Sequence, residues 1–299
     1  MVTSELHFRS MGSDAHVIVE GGCEQLADEA RRRLFDLEQR WSRFIPDSEV
    51  DRLNDHAGQP VAVSAETVLL VERAVEAWRI TGGAFDPTVL GDVIRAGYDR
   101  TFDELTGTPD PSTLMLGCTD IEIQDREIRL PAGTGFDAGG IGKGLAADIV
   151  AVEVMAAGAD GVCINLGGDL RVVGTSSDGT WTVAVEHPSF GDPIAHLGLE
   201  YGAVATSTTL KRRWVAGGEE RHHLIDPQTG LPSTTDLTLA TVIAGEAWIA
   251  EVLAKAVLLR GRDRAFDLLD EHHTSALVVD DRDNVLMSDG FAAFTGIGA

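Results

Sequence analysis

The feature that most constrains this chain is a glycine-rich segment, Asp137-Ala-Gly-Gly-Ile-Gly-Lys-Gly144, which runs directly into a helix-like apolar pattern at 145–150. Glycine lets a backbone approach a ligand closely and adopt positive φ without strain. The start of a helix presents unpaired N–H groups and a partial positive charge, which suit a phosphate. Lys143 adds a full positive charge, so the segment indicates a nucleotide or dinucleotide site.

Two known phosphate-binding signatures do not match this segment. Gly144 stands where the P-loop pattern has Ser or Thr to hold magnesium. The G-x-G-x-x-G pattern with an acidic residue about 20 positions on is not matched either. Taken alone, the segment is equally compatible with a glycine-rich turn that caps a buried helix. The other motifs of the chain favour the ligand site.

Charge excludes one large class of function. The 299 residues carry 24 Lys and Arg against 48 Asp and Glu, a formal net charge of −24. Such a surface repels nucleic acid phosphates, so we expect no DNA or RNA partner. Hydrophobic residues make up 43% of the chain, which is ordinary for a globular protein and enough for one large domain or two lobes.

Cysteine usage and hydropathy bear on the compartment. Cys23, Cys118 and Cys163 have no metal-ligand spacing, and an odd number argues against a disulfide framework. The first residues show no basic and apolar signal pattern, and no stretch reaches 18 uninterrupted apolar residues. We therefore expect no membrane span and a cytoplasmic location.

Periodicity predicts an α+β fold. Strand patterns outnumber long helix patterns without strict alternation of the two, which disfavours a doubly wound sheet. Asp86 and Thr88 are expected to cap a helix, and the polar stretch near 101–118 is a candidate lobe boundary. The helix patterns cover 24–44, 65–80, 145–156, 245–259 and 264–269, and the strand patterns cover 16–20, 121–124, 127–130, 161–173 in two runs, 181–185, 196–200, 203–206, 237–242, 275–279 and 285–287.

Short polar clusters at the ends of these elements are typical of sites. One of them, Lys211-Arg-Arg213 after Ala205-Thr-Ser207, is interpreted as a solvated face. The others are Met11-Gly-Ser13, Pro46-Asp-Ser-Glu-Val-Asp-Arg-Leu-Asn54, Gly83-Ala-Phe-Asp-Pro-Thr88, the glycine-rich segment, Asn165-Leu-Gly-Gly-Asp169 and His222-His-Leu-Ile-Asp-Pro-Gln-Thr-Gly230.

This set, in this order, resembles the ApbE family of FAD:protein FMN transferases. Five family patterns are matched, at 46–54, 83–88, 137–144, 165–169 and 223–230, and the resemblance extends from about Met11 to Gly261. It implies one domain over 1–299 with an ApbE-like mixed α/β fold, in which two closely packed lobes surround a flavin cleft.

The resemblance also implies an activity. Family members cleave the pyrophosphate of FAD, release AMP and join FMN through a phosphoester to a Thr or Ser of an acceptor protein. His223 falls at the family's proposed base position, and an imidazole with a pKa near 6.5 suits that task. The implied FAD contacts are Met11, Phe44, Ala84, Phe85, Asp86, Asp137, Lys143 and Ile225.

The chain departs from the family at the metal site. The family holds Mg²⁺ with an Asp and a Thr four residues apart, and here Glu251 and Lys255 replace them. The implied metal positions are then Gly140, Glu251 and Ala254. Glu can still ligate magnesium, whereas a protonated Lys cannot. Either the Lys255 ammonium pairs with Glu251 and replaces the ion, or the two residues are an i,i+4 pair in a site that has lost its chemistry.

Three functions therefore stay open at the level of sequence. The first is a flavin transferase that acts on FAD, with or without Mg²⁺. The second is a non-catalytic FAD-binding protein, suggested by Lys255. The third is an FAD pyrophosphatase, in which water replaces the acceptor hydroxyl.

Overall fold

The computed structural model describes residues 2–105 and 111–295. They form two compact units: the first takes its residues from 1–36, 143–208 and 236–299, and the second from 37–142 and 209–235. The stretch 101–118, a candidate lobe boundary by sequence, falls within the range of the second unit. Its residues 106–110 lie outside the described residues.

Helices and strands are both abundant in the described residues. The α-helices are α1 Leu26–Trp41, α2 Glu49–Asp55, α3 Ala65–Ile80, α4 Leu90–Arg95, α5 Gly142–Ala156 and α6 Ala247–Arg260. The strands are β1 Thr3–Ser10, β2 Ser13–Glu20, β3 Val61–Ala62, β4 Glu122–Gln124, β5 Glu127–Arg129, β6 Gly161–Leu166, β7 Asp169–Gly174, β8 Trp181–Val185, β9 Ala195–Leu199, β10 Gly202–Thr208, β11 Arg213–Ala216, β12 Glu219–His222, β13 Ile225–Asp226, β14 Leu231–Pro232, β15 Leu237–Ala244, β16 Ser275–Asp280 and β17 Val285–Met287.

The first unit is organised by an eight-stranded sheet in the order β1-β2-β6-β7-β10-β15-β16-β17. Each pair of neighbours in it is antiparallel. Helix α6 lies against β10 and β15 in the middle of the sheet. Because α6 is apolar nearly all round, it is buried on most of its surface. Any charged residue in the middle of α6 is consequently placed inside the unit.

Two tight turns lie side by side at one end of the strands of this sheet. Met11-Gly12 joins β1 to β2 and Gly167-Gly168 joins β6 to β7, each as a two-residue loop with positive φ at both positions. Such loops match the twist of the strands they connect. The N–H of Gly167 donates to the carbonyl of Asp14 at 2.8 Å, which ties the two turns together. Met11, at φ 50°, holds a conformation that is uncommon for a residue with a side chain.

The second unit combines helices with small sheets. Strands β3, β5 and β4 form one sheet, and β11–β12 and β13–β14 form two hairpins. Ser64 caps α3 by accepting a hydrogen bond from the N–H of Thr67. Asn54 on α2 bonds both backbone groups of Phe136, donating to its carbonyl at 3.0 Å and accepting from its N–H at 2.7 Å. These two hydrogen bonds hold the start of the glycine-rich segment against α2.

Most of the predicted elements are confirmed, and α3 and the β4–β5 hairpin fall where periodicity places them. The predicted helix at 264–269 is wrong, because Arg262–Arg264 forms only a 3-10 turn and the residues after it form turns. Strand β1 was not predicted, since its polar residues alternate with half-buried ones at the edge of the sheet. Within the described residues, no helix has the length and apolarity needed to cross a membrane.

Gly144 is required by packing in the first unit. A Cβ at this position would overlap the carbonyl oxygen of Ala247 and lie 2.7 Å from the backbone N of Trp248. The backbone of α5 therefore touches the start of α6. We predict that Gly144→Ala lowers stability by about 2 kcal/mol despite the better helix propensity of Ala, because backbone atoms must move apart.

The matched control is Gly191→Ala, since a Cβ at Gly191 meets nothing within 4 Å. Thermal unfolding of both variants checks the prediction. Equal melting temperatures for the two variants would show that the crossing of α5 and α6 tolerates a methyl group.

Candidate functional site

Four charged side chains meet in the first unit, and we call them the lysine–carboxylate cluster: Lys143, Asp169, Glu251 and Lys255. Lys143 lies in the first turn of α5, Asp169 begins β7, and the other two lie one turn apart on α6. The ammonium of Lys143 contacts Asp169 and lies 3.1 Å from Oε1 of Glu251. The ammonium of Lys255 lies 3.1 Å from the same oxygen.

Glu251 is the centre of this cluster. Its side chain is 0% exposed, and its Oε2 accepts a hydrogen bond from the N–H of Gly144 at 2.8 Å. Burial alone would raise the pKa of Glu251, but the ammoniums of Lys143 and Lys255 outweigh burial and hold that pKa below its usual range. Glu251 is therefore a carboxylate at neutral pH.

The start of α6 is held by a buried carboxylate that sequence reasoning did not single out. Asp148 on α5 accepts hydrogen bonds from the N–H groups of Ala247 and Trp248, both at 2.9 Å. The guanidinium of Arg171 lies 3.2 Å from Asp148 and also donates to the carbonyl of Gly245. These bonds satisfy orphan groups at the helix start and set the position of the turn that carries Glu251. The available signal was an Asp within the mostly apolar middle of α5.

In the second unit, two predicted FAD contacts are joined by a residue that was not predicted. Arg43 lies 3.3 Å from Oδ2 of Asp137, and its guanidinium carbon lies 4.0 Å from the ring centre of Phe44. The same guanidinium donates to the carbonyl of Tyr98 at 3.0 Å. Asp137 also accepts from the N–H of Gly139 at 2.8 Å. Phe44 and Asp137, far apart in sequence, thus share one buried cation.

Aromatic rings continue from Phe44. The ring of Tyr98 lies 5.9 Å from that of Phe44 and 5.5 Å from that of Trp214. Phe102 completes the group at 6.3 Å from Tyr98 and 6.5 Å from Trp214. These separations are typical of favourable ring contacts. The arrangement offers flat apolar surface beside a guanidinium.

The predicted capping role of Asp86 and Thr88 in the segment 83–88 is wrong. Asp86 and Thr88 do not cap α4, which begins after Val89 without a side-chain cap. Instead, Oδ1 of Asp86 accepts from the N–H of Thr88 at 2.7 Å and from its hydroxyl at 2.5 Å. Burial raises the pKa of Asp86, and the bonds from Thr88 oppose that shift. Phe85 is buried and Ala84 is half-buried.

The two adjacent histidines have different environments. His222 is buried, and its ring nitrogens bond the carbonyl of Ser233 at 3.0 Å and the N–H of Leu224 at 3.3 Å. Burial lowers the pKa of His222. His223 is half-buried in the link between β12 and β13. Ile225 is buried in a small core with Val93 and Ala96.

Comparison with known proteins identifies the family. A family model described as the ApbE family matches residues 11–278. The chain belongs to the ApbE family. The FAD:protein FMN transferase of Vibrio cholerae is 27% identical over 282 residues, which is 90% of this chain and 82% of that protein. That of Treponema pallidum is 28% identical over 253 residues, 75% of this chain and 68% of that protein.

A solved structure confirms the fold. The ApbE protein from Thermotoga maritima superposes with a TM-score of 0.90 at 26% identity, covering 99% of this chain and all of that one. The predicted α+β, ApbE-like fold is thus confirmed.

The residues that the resemblance assigns to a metal, Gly140, Glu251 and Ala254, do not fit magnesium. Both oxygens of Glu251 are occupied, Oε1 by two ammoniums and Oε2 by the N–H of Gly144. Ala254 lies inside α6, where carbonyls serve helix hydrogen bonds, and Gly140 lies in a 3-10 turn of the second unit. Formally, two lysines and two carboxylates already sum to zero. A divalent ion would add charge beside two cations, which is unfavourable.

Lysine usage sharpens this observation. The chain has three lysines, at 143, 211 and 255, and all its other basic residues apart from histidine are arginines. Two of the three lysines meet on Glu251. A compact ammonium is a point charge, whereas a guanidinium is a wide planar fork. The cluster therefore uses the basic side chain that most resembles a single ion.

Asp148 gives this site a pH signature. Burial raises the pKa of Asp148 from 3.8 to about 6. Between pH 3.8 and 6 the folded protein holds a proton on Asp148 that the unfolded chain has released. The contribution of this proton to the stability of the fold is complete below pH 3.8 and is lost as pH rises through 6. We predict that stability falls by about 1 kcal/mol more between pH 5 and 7 in the native chain than in Asp148→Asn.

Urea unfolding at pH 5, 6 and 7 checks the sign, with Asp178→Asn, at an exposed position, as the matched control. Parallel pH profiles for the native chain and Asp148→Asn would mean that Asp148 has an ordinary pKa.

Proposed function

We propose that this chain is an FAD:protein FMN transferase. The acceptor hydroxyl oxygen attacks the phosphorus on the FMN side of the pyrophosphate, and the bond to the bridging oxygen breaks. AMP leaves with the bonding electrons, and the hydroxyl proton passes to His223. The observation that carries the proposal is the lysine–carboxylate cluster at the start of the glycine-rich helix α5, which fixes two cations in a chain of net charge −24.

The proposed roles are those that the family resemblance implies. Lys143 contacts the phosphates and His223 is the base. The other proposed FAD contacts are Met11, Phe44, Ala84, Phe85, Asp86, Asp137 and Ile225. The family match at 11–278 includes most of both units, which supports a single domain over 1–299. The acceptor is a protein with a Thr or Ser site, and the cytoplasmic location stays a prediction.

The charge requirement of the reaction supports a role for Lys255. Phosphoryl transfer is accelerated mainly by positioning and by neutralising charge on the transferred group. Where the family resemblance implies a magnesium ion, this chain has an ammonium 3.1 Å from Glu251. We propose that Lys255 supplies that positive charge, so that catalysis does not require the ion. The alternative, a non-catalytic FAD-binding protein, is favoured only by the same substitution.

The first test is transfer with and without metal. The purified protein is incubated with FAD and an acceptor protein or peptide, either with Mg²⁺ or with a chelator. We expect flavin fluorescence on the acceptor in a denaturing gel, and equimolar AMP, under both conditions. AMP with free FMN and no labelled acceptor would indicate a pyrophosphatase. Bound FAD without AMP would indicate a binding protein.

The role of Lys255 predicts a change of metal dependence. Glu251→Asp with Lys255→Thr removes one cation and leaves the remaining groups with a negative excess. This double variant should be inactive with chelator and regain transfer with Mg²⁺, because an ion can then restore the lost charge. The matched control is Lys211→Thr, which removes an exposed lysine of the second unit. If the double variant is equally active with chelator and with Mg²⁺, the proposed role of Lys255 is contradicted.

The role of His223 predicts a separation of chemistry from binding. His223→Ala should lower the transfer rate by roughly 10²- to 10⁴-fold, the usual contribution of a general base, and leave FAD affinity within a small factor. His56→Ala, at an exposed histidine of the same unit, is the control. The transfer rate is measured from flavin fluorescence in gels of samples stopped at successive times, and the affinity for FAD is measured by equilibrium dialysis. An unchanged rate would remove His223 from the mechanism.

A further inference from the structure

A second cluster of potential ligands lies on the hairpin β1–β2 and includes none of the side chains that were given a role above. His7 on β1 pairs directly across with His16 on β2, and Glu5 lies two residues before His7. Residues two apart on a strand point to the same face, so all three side chains share one face of the sheet. Glu5 and His7 are exposed and His16 is half-buried, so this face is open to solvent at the cluster.

The ligand atoms converge. Oε1 of Glu5 lies 2.7 Å from Nε2 of His16 and 3.2 Å from Nε2 of His7. The two imidazole rings are stacked, with centres 4.0 Å apart and planes at 14°. One ligand atom from each residue lies within 4.8 Å of the others. Zn²⁺ with bonds of about 2.1 Å to nitrogen and oxygen holds its donors about 3.4 Å apart in a tetrahedron, which is close to the separations of Glu5 from the two histidines. Because the rings are nearly parallel, at least one imidazole must rotate for both Nε2 atoms to face one ion.

We propose that Glu5, His7 and His16 form a binding site for a divalent transition metal, with Zn²⁺ as the best match. Two imidazole nitrogens and one carboxylate are a ligand set that zinc uses where it keeps a fourth position open. Imidazole selects zinc, copper or nickel over magnesium and calcium, which prefer oxygen. The fourth position faces solvent, because 71% of the His7 side chain and 52% of the Glu5 side chain are exposed.

Glu5 now bonds both histidines, through Nε2 of His16 at 2.7 Å and Nε2 of His7 at 3.2 Å. The ion would replace the present bonds between Glu5 and the histidines. The hairpin needs no rearrangement, since the register of β1 and β2 already fixes the three positions.

The test is zinc binding by the full-length protein. Metal-stripped protein is titrated with Zn²⁺ by calorimetry in excess Mg²⁺, which occupies sites made only of carboxylates. We expect one Zn²⁺ per chain in the native protein and a loss of affinity of roughly tenfold or more in His7→Ala and in His16→Ala. Co²⁺ in place of Zn²⁺ should give a visible absorption band that both variants lack.

Two control variants separate this site from other donors. Cys23→Ser removes an exposed thiol and His196→Ala removes an exposed histidine of another strand. Both should bind Zn²⁺ like the native chain, and all variants should melt at the native temperature without metal because the changed residues are on the surface. Absence of one-to-one binding, or equal affinity in His7→Ala and His16→Ala, would overturn the proposal. The cluster would then be a polar edge that discourages strand pairing.

Discussion

The ion pairs of Glu251 are the constraint on which the centre of the first unit depends. A carboxylate that is fully buried is tolerated only if its charge is matched and its oxygens are bonded. Glu251 meets both conditions through Lys143, Lys255 and the N–H of Gly144. Two of these partners belong to α5, so the carboxylate joins α5 to α6. The close backbone approach at Gly144 is the geometric counterpart of this bond.

A second buried carboxylate, Asp148 on α5, also holds α5 and α6 together. Asp148 holds the first N–H groups of α6, one turn before Glu251. Lys143 and Asp148 are both on α5, and they act on α6 through opposite charges. The start of α6 is therefore held through its backbone N–H groups by Asp148 and through the side chain of Glu251 by Lys143. Such preorganisation is what charge stabilisation in phosphoryl transfer requires, because groups that are already oriented need no rearrangement during the reaction.

Sequence reasoning named several residues of the candidate site but not the contacts between them. The pairing of Lys255 with Glu251 could be predicted, because residues four apart on a helix are neighbours. The contact of Lys143 with Glu251 spans 108 positions, and that of Arg43 with Asp137 spans 94; no periodic pattern encodes such pairs. The cluster of Glu5, His7 and His16 was not predicted, since two histidines nine residues apart become neighbours only through the hairpin register.

Glu251 and Lys255, the two residues that differ from those the family resemblance implies, are best understood as one matched pair. An Asp at 251 would be shorter by one methylene, and from α6 it would fall short of the N–H of Gly144 and the ammonium of Lys143. The longer Glu251 reaches both across the helix crossing and still meets Lys255 on its own helix. A Lys at 255 opposite a shorter carboxylate would leave a half-buried ammonium less well paired, which is unfavourable. Glu251 is buried and its carboxylate meets two ammoniums, and Lys255 meets that carboxylate on its own helix, so the two residues are matched partners.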